Sequence, residues 1–322
     1  MAEIKKYTIA EPYLDLHAQL GEGPHWEQDR NTLRFVDIAK KKLYFIDLKQ
    51  GPSSLRTIDL DFSIGVTADI ESNEDEIVFG GKLGYGILNR SSGATRWIAK
   101  MWNDDERKED GGGKPGVGKC KEDRMRSNDG AIDPKGRFLV GAMNDFADGF
   151  MDEGILFRLD SDLSLHRIKT EVTIPNGTSW SADGKTMYFT DSPTGTIKSY
   201  PYNVETGEVS WTEGKVFWTC PVEGGVPDGH VQDEEGHFWV ACYGTARVFR
   251  VNPQGQVVAE VELPTRCATC PVFCGTELYI TTAYEGQPEK YPWSEKYGGG
   301  LFKIDVGVHG APKRKFRMDA KA

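Results

Sequence analysis

Pro175-Asn176-Gly177-Thr178-Ser179-Trp180, then the turn Ser181-Ala182-Asp183-Gly184, then Thr186-Met187-Tyr188-Phe189, then Ile197-Lys198-Ser199-Tyr200 form one unit of a repeat on which the fold turns. The unit opens with an amide or acid before glycine and a short apolar-alternating run. A compact apolar strand follows, and then an alternating run that ends at a small polar residue, here Asn203. Working outward, the opening recurs as Glu22-Gly23, Ile64-Gly65, Asp129-Gly130 and Asp228-Gly229, with a sixth version near Arg266-Cys267 that lacks the glycine. The apolar strand recurs as Leu33–Val36, Ile77–Phe79, Phe138–Val140, Phe238–Val240 and Leu278–Ile280. The third run recurs as Leu43–Asp47, Gly86–Asn89, Ile155–Asp160, Val248–Asn252 and Leu301–Asp305. Such self-similarity at about 42 to 70 residues per unit is the mark of a repeat architecture.

Six such units with almost no 3.6-residue periodicity predict an all-β fold, a six-bladed β-propeller spanning 1–322 as one domain. An irregular all-β protein is the alternative, but it leaves the repeat without a cause. The segment Tyr7 to Leu20 is expected to add an outer strand to the last blade and close the ring, removing exposed edges. The stretch 102–124 reads as a long, mobile insertion between blades two and three that borders the pocket.

Composition narrows the function. The chain has 39 Lys and Arg against 49 Asp and Glu, a formal charge of -10, which argues against a nucleic-acid partner. No apolar stretch suits a membrane helix, and Met1-Ala2-Glu3-Ile4-Lys5-Lys6 has no secretory character, so a cytoplasmic protein is expected. The six cysteines read as reduced thiols. A closed propeller needs no partner, so a monomer or weak homo-oligomer is expected.

Radial arrangement brings the unit starts to one end of the central channel: Glu22, Ile64, Asp129 with Asn128 beside it, Asn176, Asp228 and roughly Arg266. Converging carboxylates and amides are costly to bury without a cation, and a hard divalent ion takes such oxygens. Glu22, Asn176 and Asp228 are the metal-ligand candidates, with Asn128 as a fourth; Asx-Gly pairs as plain turns are the competing reading.

Leu20-Gly21-Glu22-Gly23-Pro24-His25-Trp26, Arg126-Ser127-Asn128-Asp129-Gly130, Pro175-Asn176-Gly177 and Pro227-Asp228-Gly229 resemble the motifs of the SMP-30/gluconolactonase/luciferin-regenerating-enzyme family, in order across nearly the whole chain. The resemblance implies a propeller whose central metal is held at Glu22, Asn176 and Asp228, and hydrolysis of a sugar lactone. The ion expected is Ca²⁺, with Zn²⁺, Mn²⁺ or Mg²⁺ as other choices. Asp228 is the general-base candidate, with a water-bridged Asp129 as the other. Arg126, Asn128 and Asp129 are the expected substrate contacts. Phe146 stands where similar animal members carry an acidic contact, so Asp145 or Asp148 could replace it. A phosphotriesterase-like hydrolase and a non-catalytic calcium or ligand binder are the competing functions.

Other signals are weaker. Gly113-Lys114-Pro115-Gly116-Val117-Gly118-Lys119-Cys120 lacks the hydroxyl of a phosphate loop and follows a charge run. Cys267, Cys270 and Cys274 fall where the sixth inner strand is expected and read as packed thiols. His25 and His230 follow the ring positions, so either could line the pocket, with a core or rim role preferred, and Lys313-Arg314-Lys315 reads as a solvated end.

Overall fold

The computed structural model describes residues 4–108, 120–145 and 151–319. They form six sheets, each built on the antiparallel strands of one unit of the repeat. Blade one is Gly21–Glu27, Thr32–Asp37, Lys42–Asp47 and Arg56–Asp59. The inner strands of blades two to six are Ile64–Ile70, Met125–Ile132, Pro175–Trp180, Val226–Gln232 and Ala268–Cys274. The apolar second strands, such as Phe138–Asn144 and Phe238–Tyr243, are almost wholly buried. Their side chains build core clusters that run from blade to blade, for example Val78, Tyr85, Met125, Phe138 and Phe157.

The recurrent glycines are not turn residues. They lie inside the inner strands, where backbone or a side chain of a neighbouring strand approaches too closely for a Cβ. A Cβ on Gly65 would stand 2.1 Å from the carbonyl oxygen of Asn128, and one on Gly177 would stand 2.2 Å from His230 Nδ1. The Gly65→Ala variant is therefore expected to lose about 2 to 3 kcal/mol of stability, because the obstruction is backbone that cannot swing away. Calorimetry checks this; an unchanged Tm would show that the inner strands can spread.

Several expectations are corrected. The regular N-terminal strand, Lys5–Thr8, pairs in parallel with Val257–Glu262 of blade five, not with the last blade. Blade six receives only single bridges, Leu14 to Leu301 and Leu20 to Ala283. Regular strand needs a long free edge, and blade six has only three strands of its own, the third being the short Phe302–Asp305.

The inserted segment is anchored where it is described. Trp102 is buried, Arg167 donates to Glu106 at 2.8 Å, and Lys121–Arg124 forms a helical turn. The phosphate-loop-like residues Gly113–Lys119 lie outside the described residues.

In the run Lys313-Arg314-Lys315 both lysines are exposed, as expected, but the run is not a loose end. The chain from Gly310 crosses the lower end of the channel: Gly310 bridges Asp233 in blade five, Phe316 bridges Ile70 in blade two, and Arg317 N donates to Gly136 O in blade three. Lys313 and Arg314 line a channel cavity of about 190 Å³ together with His25, His230, Cys270 and Asp129. Lys313 is exposed to that cavity, and desolvation within it lowers the ammonium to about 8.

Candidate functional site

Each inner strand carries a one-residue register shift near its start, between Glu22 and His25, Ile64 and Val66, Ser127 and Gly130, Asn176 and Thr178, Pro227 and His230, and Ala268 and Cys270. A bulge re-aims the side chain it carries. Here six bulges aim one ring of residues at the upper end of the channel. In blade six the ring residue is Thr269, not Arg266. Thr269 Oγ1 donates to Gly21 O at 2.6 Å, whereas Arg266 is held away by Glu285 at 2.7 Å.

Glu22, Asn128, Asn176 and Asp228 are all buried in this ring, at 5%, 6%, 4% and 7% exposure. Their environment resists negative charge. Burial, then the neighbouring Asp129 carboxylate, pushes Glu22 up to about 8. Burial also raises Asp129 to about 6. Asp228 lies well above the ordinary carboxylate range, first through burial and then through Glu22 and Asp129. Arg126 pulls Glu22 and Asp228 the other way, without restoring either.

Arg126 is clamped by Asp145, whose Oδ1 accepts from Nε at 2.7 Å, while its Nη1 donates to Asn128 Oδ1 at 2.7 Å. Asn128 Nδ2 donates to Pro175 O at 2.9 Å and to Asn176 Oδ1 at 3.1 Å. Asn176 Nδ2 reaches Ser192 Oγ at 2.8 Å. Ser192 and the clamp by Asp145 are invisible in the repeat, because each partner belongs to a different strand or blade. The Asp-Ser-Pro turn at 191–193 is the one local trace of Ser192.

Asp129 differs from the other ring residues in lining the cavity beneath them. So do His25 and His230. His25 Nε2 lies 3.2 Å from Asp69 and His230 Nε2 lies 2.8 Å from Ser179 Oγ. Burial holds both rings neutral, with His25 lowered to about 3 and His230 to about 4. Phe146 and Asp148 lie outside the described residues.

A divalent ion fits the ring on one direct observation. Asp228 Oδ1 is buried with no hydrogen-bond partner, a state that costs free energy unless something positive faces it. The available donors are all oxygen, as hard cations require. A second acidic group, Asp233, Glu235 and His237, has ligand atoms within 4.8 Å of one another. There Arg250 Nη2 already donates to both carboxylates at 2.6 Å, so their oxygens are partnered without an ion.

Among the described residues no helix is long and apolar enough to cross a membrane. The chain is 31% identical over 325 residues to regucalcin of Xenopus laevis, covering 98% of this chain and 99% of that one. It is 30% identical over 309 residues to the Bacillus subtilis protein named "Putative sugar lactone lactonase YvrE", covering 95% and 97% respectively. The crystal structure of a calcium-binding protein, regucalcin, from Agrobacterium tumefaciens superposes with a TM-score of 0.84 at 24% identity, over 98% of this chain and 100% of that one. That likeness shows the six-bladed propeller. With residues 20–284 matching the SMP-30/Gluconolactonase/LRE-like region, the chain belongs to the SMP-30/gluconolactonase/luciferin-regenerating-enzyme-like family.

Proposed function

We propose that the protein is a divalent-metal-dependent hydrolase that opens an aldonolactone to its sugar acid. The observation that carries this reading is the unpartnered, buried Asp228 Oδ1 in an all-oxygen ring, in a chain of a family that contains gluconolactonases. Glu22, Asn176 and Asp228 would hold the ion. Oxygen donors alone favour Ca²⁺ over Zn²⁺, which prefers nitrogen and sulfur. A bound divalent ion supplies Lewis acidity toward the lactone carbonyl and acidifies water.

The chain's own residues do the rest. Asp228, ionised once a cation faces the ring, is the residue placed to take the proton of the attacking water. Arg126 keeps Nη2 without a partner among the described residues, because Nε and Nη1 are engaged, and that group orients the ring ester. Asn128 has both amide protons committed, so any contact it makes with substrate uses the remaining lone pair of Oδ1. Asp129, from the channel side, contacts substrate through water. The described cysteines are free thiols, which suits a cytoplasmic site of action on a small molecule.

The test is acid release from five- and six-membered sugar lactones by metal-stripped protein, with Ca²⁺, Mn²⁺, Mg²⁺ and Zn²⁺ restored in turn. Metal-restored turnover of one lactone class is expected; silence across the panel with bound metal confirmed would refute the reading. The Glu22→Gln variant is expected to bind Ca²⁺ more than about 100-fold more weakly, since a ligand should cost more than its supporting groups do. Isothermal titration of the metal-free variant checks it, and wild-type affinity would remove Glu22 from the ligand set.

A further inference from the structure

The amides of the ring are polarised by one residue at its edge. An arginine donates and never accepts, so Asn128 must turn its Oδ1 toward Arg126 Nη1, 2.7 Å away. Its Nδ2 then faces inward, and the two protons go to Pro175 O and Asn176 Oδ1. Asn176 is thereby obliged to point Nδ2 at Ser192 Oγ. With that lone pair used, the Ser192 hydroxyl donates its proton to Pro227 O at 2.7 Å, the residue before Asp228. A chain of one direction therefore runs Arg126, Asn128, Asn176, Ser192, Pro227 across blades three, four and five. Arg126, Asn128, Asn176 and Ser192 are at most 6% exposed, so water does not offer substitutes.

We propose that Ser192 is a positioning residue that locks the Asn176 amide with its oxygen, and not its nitrogen, available to a bound cation. This rests on the metal site proposed above. Asn176 Oδ1 accepts one bond from Asn128 and keeps a second lone pair for the ion. A flipped amide would present N–H groups both to Asn128 Nδ2 and to the cation. Ser192 adds a second cost to that flip, because a rotated Asn176 would leave the serine hydroxyl facing an oxygen while its proton is committed to Pro227. The same serine ties the strand start that carries Asp228 to the ligand in the next blade, so two ligand positions share one hydroxyl.

The experiment is titration of metal-free protein with Ca²⁺ and, separately, Mn²⁺, with the Tm of the metal-free form measured in parallel. In Ser192→Ala the Ca²⁺ dissociation constant is expected to rise about 10- to 100-fold, as for other supporting groups around a metal. In Ser192→Thr, which keeps the hydroxyl, it is expected to stay within about threefold of wild type. A purely structural serine would instead lower the metal-free Tm and leave the affinity of the folded protein alone. If Ser192→Ala does not fold, Ser192→Cys, a weak donor and acceptor of similar volume, takes its place with the same expectation. Wild-type affinity in the alanine variant, or equal loss in the alanine and threonine variants, overturns the role of Ser192 and leaves the site standing. Absence of binding by the wild type overturns both together.

Discussion

Asp228→Asn is expected to lower kcat/KM toward the lactone by about 10³-fold while raising the Tm of the metal-free protein, an opposition that few substitutions produce. The amide keeps the shape and one oxygen of the side chain but has no basicity, and a positioned base contributes about 10² to 10⁴ in rate. The stability gain has a separate cause. In the metal-free ring Asp228 lies beside Glu22 and Asp129, and burial together with those charges opposes its ionisation. The unfolded chain ionises it freely, so folding is penalised at neutral pH, and a neutral amide escapes the penalty. Lactone assay with saturating Ca²⁺ and calorimetry in chelator separate the two effects. Activity within tenfold of wild type would exclude Asp228 as the base, and a lowered metal-free Tm would mean that the ring is not strained by its charges.

The second large effect is on stability as a function of pH. Glu22 is raised to about 8 and Asp129 to about 6, both above their unfolded values. A carboxylate with a raised folded pKa binds more protons folded than unfolded, so the metal-free protein should lose stability from about pH 4 upward and go on losing it through pH 8. The loss is on the order of a few kcal/mol. A divalent cation should abolish that slope, since it replaces the protons that hold the ring neutral. The difference in Tm between Ca²⁺-loaded and chelator-treated protein is therefore expected to be several degrees at pH 8 and close to nothing at pH 5. A difference independent of pH would show that the ion binds elsewhere.

How far the amino-acid sequence carries depends on where a residue's partners lie. The second and third strands of every blade are legible because they are apolar on both faces or strictly alternating. The outer strands are not: Arg56–Asp59 is mostly exposed, and Thr95–Lys100 is half exposed with only the short apolar stretch Trp97–Ala99 to read. The ring is legible at five of six blades through the glycine beside it, since the neighbouring strand leaves no room for a Cβ there. In blade six the register is set by the pairing of Ala268 with Thr282 and Cys270 with Thr281, so the ring falls on Thr269 and no glycine marks it. Ser192 and Asp145 act on side chains far away in sequence or across strands, which no local pattern encodes. Lys313 looks like a surface lysine until the backbone carries it under the channel.

That crossing segment bears on how the chain acquires its structure. Phe316 is completely buried against blades two and three, and Tyr7 hydrogen-bonds Val306 across 299 residues. Loop closures of that length are slow to form and reward the chain only once both partners exist. During synthesis the early blades would have to wait, with their inner edges uncovered, until the last blade and the segment after it emerge. The protein is thus expected to reach its native state late and in a concerted step, and to depend most on chaperones until the crossing segment from Gly310 to Arg317 has left the ribosome.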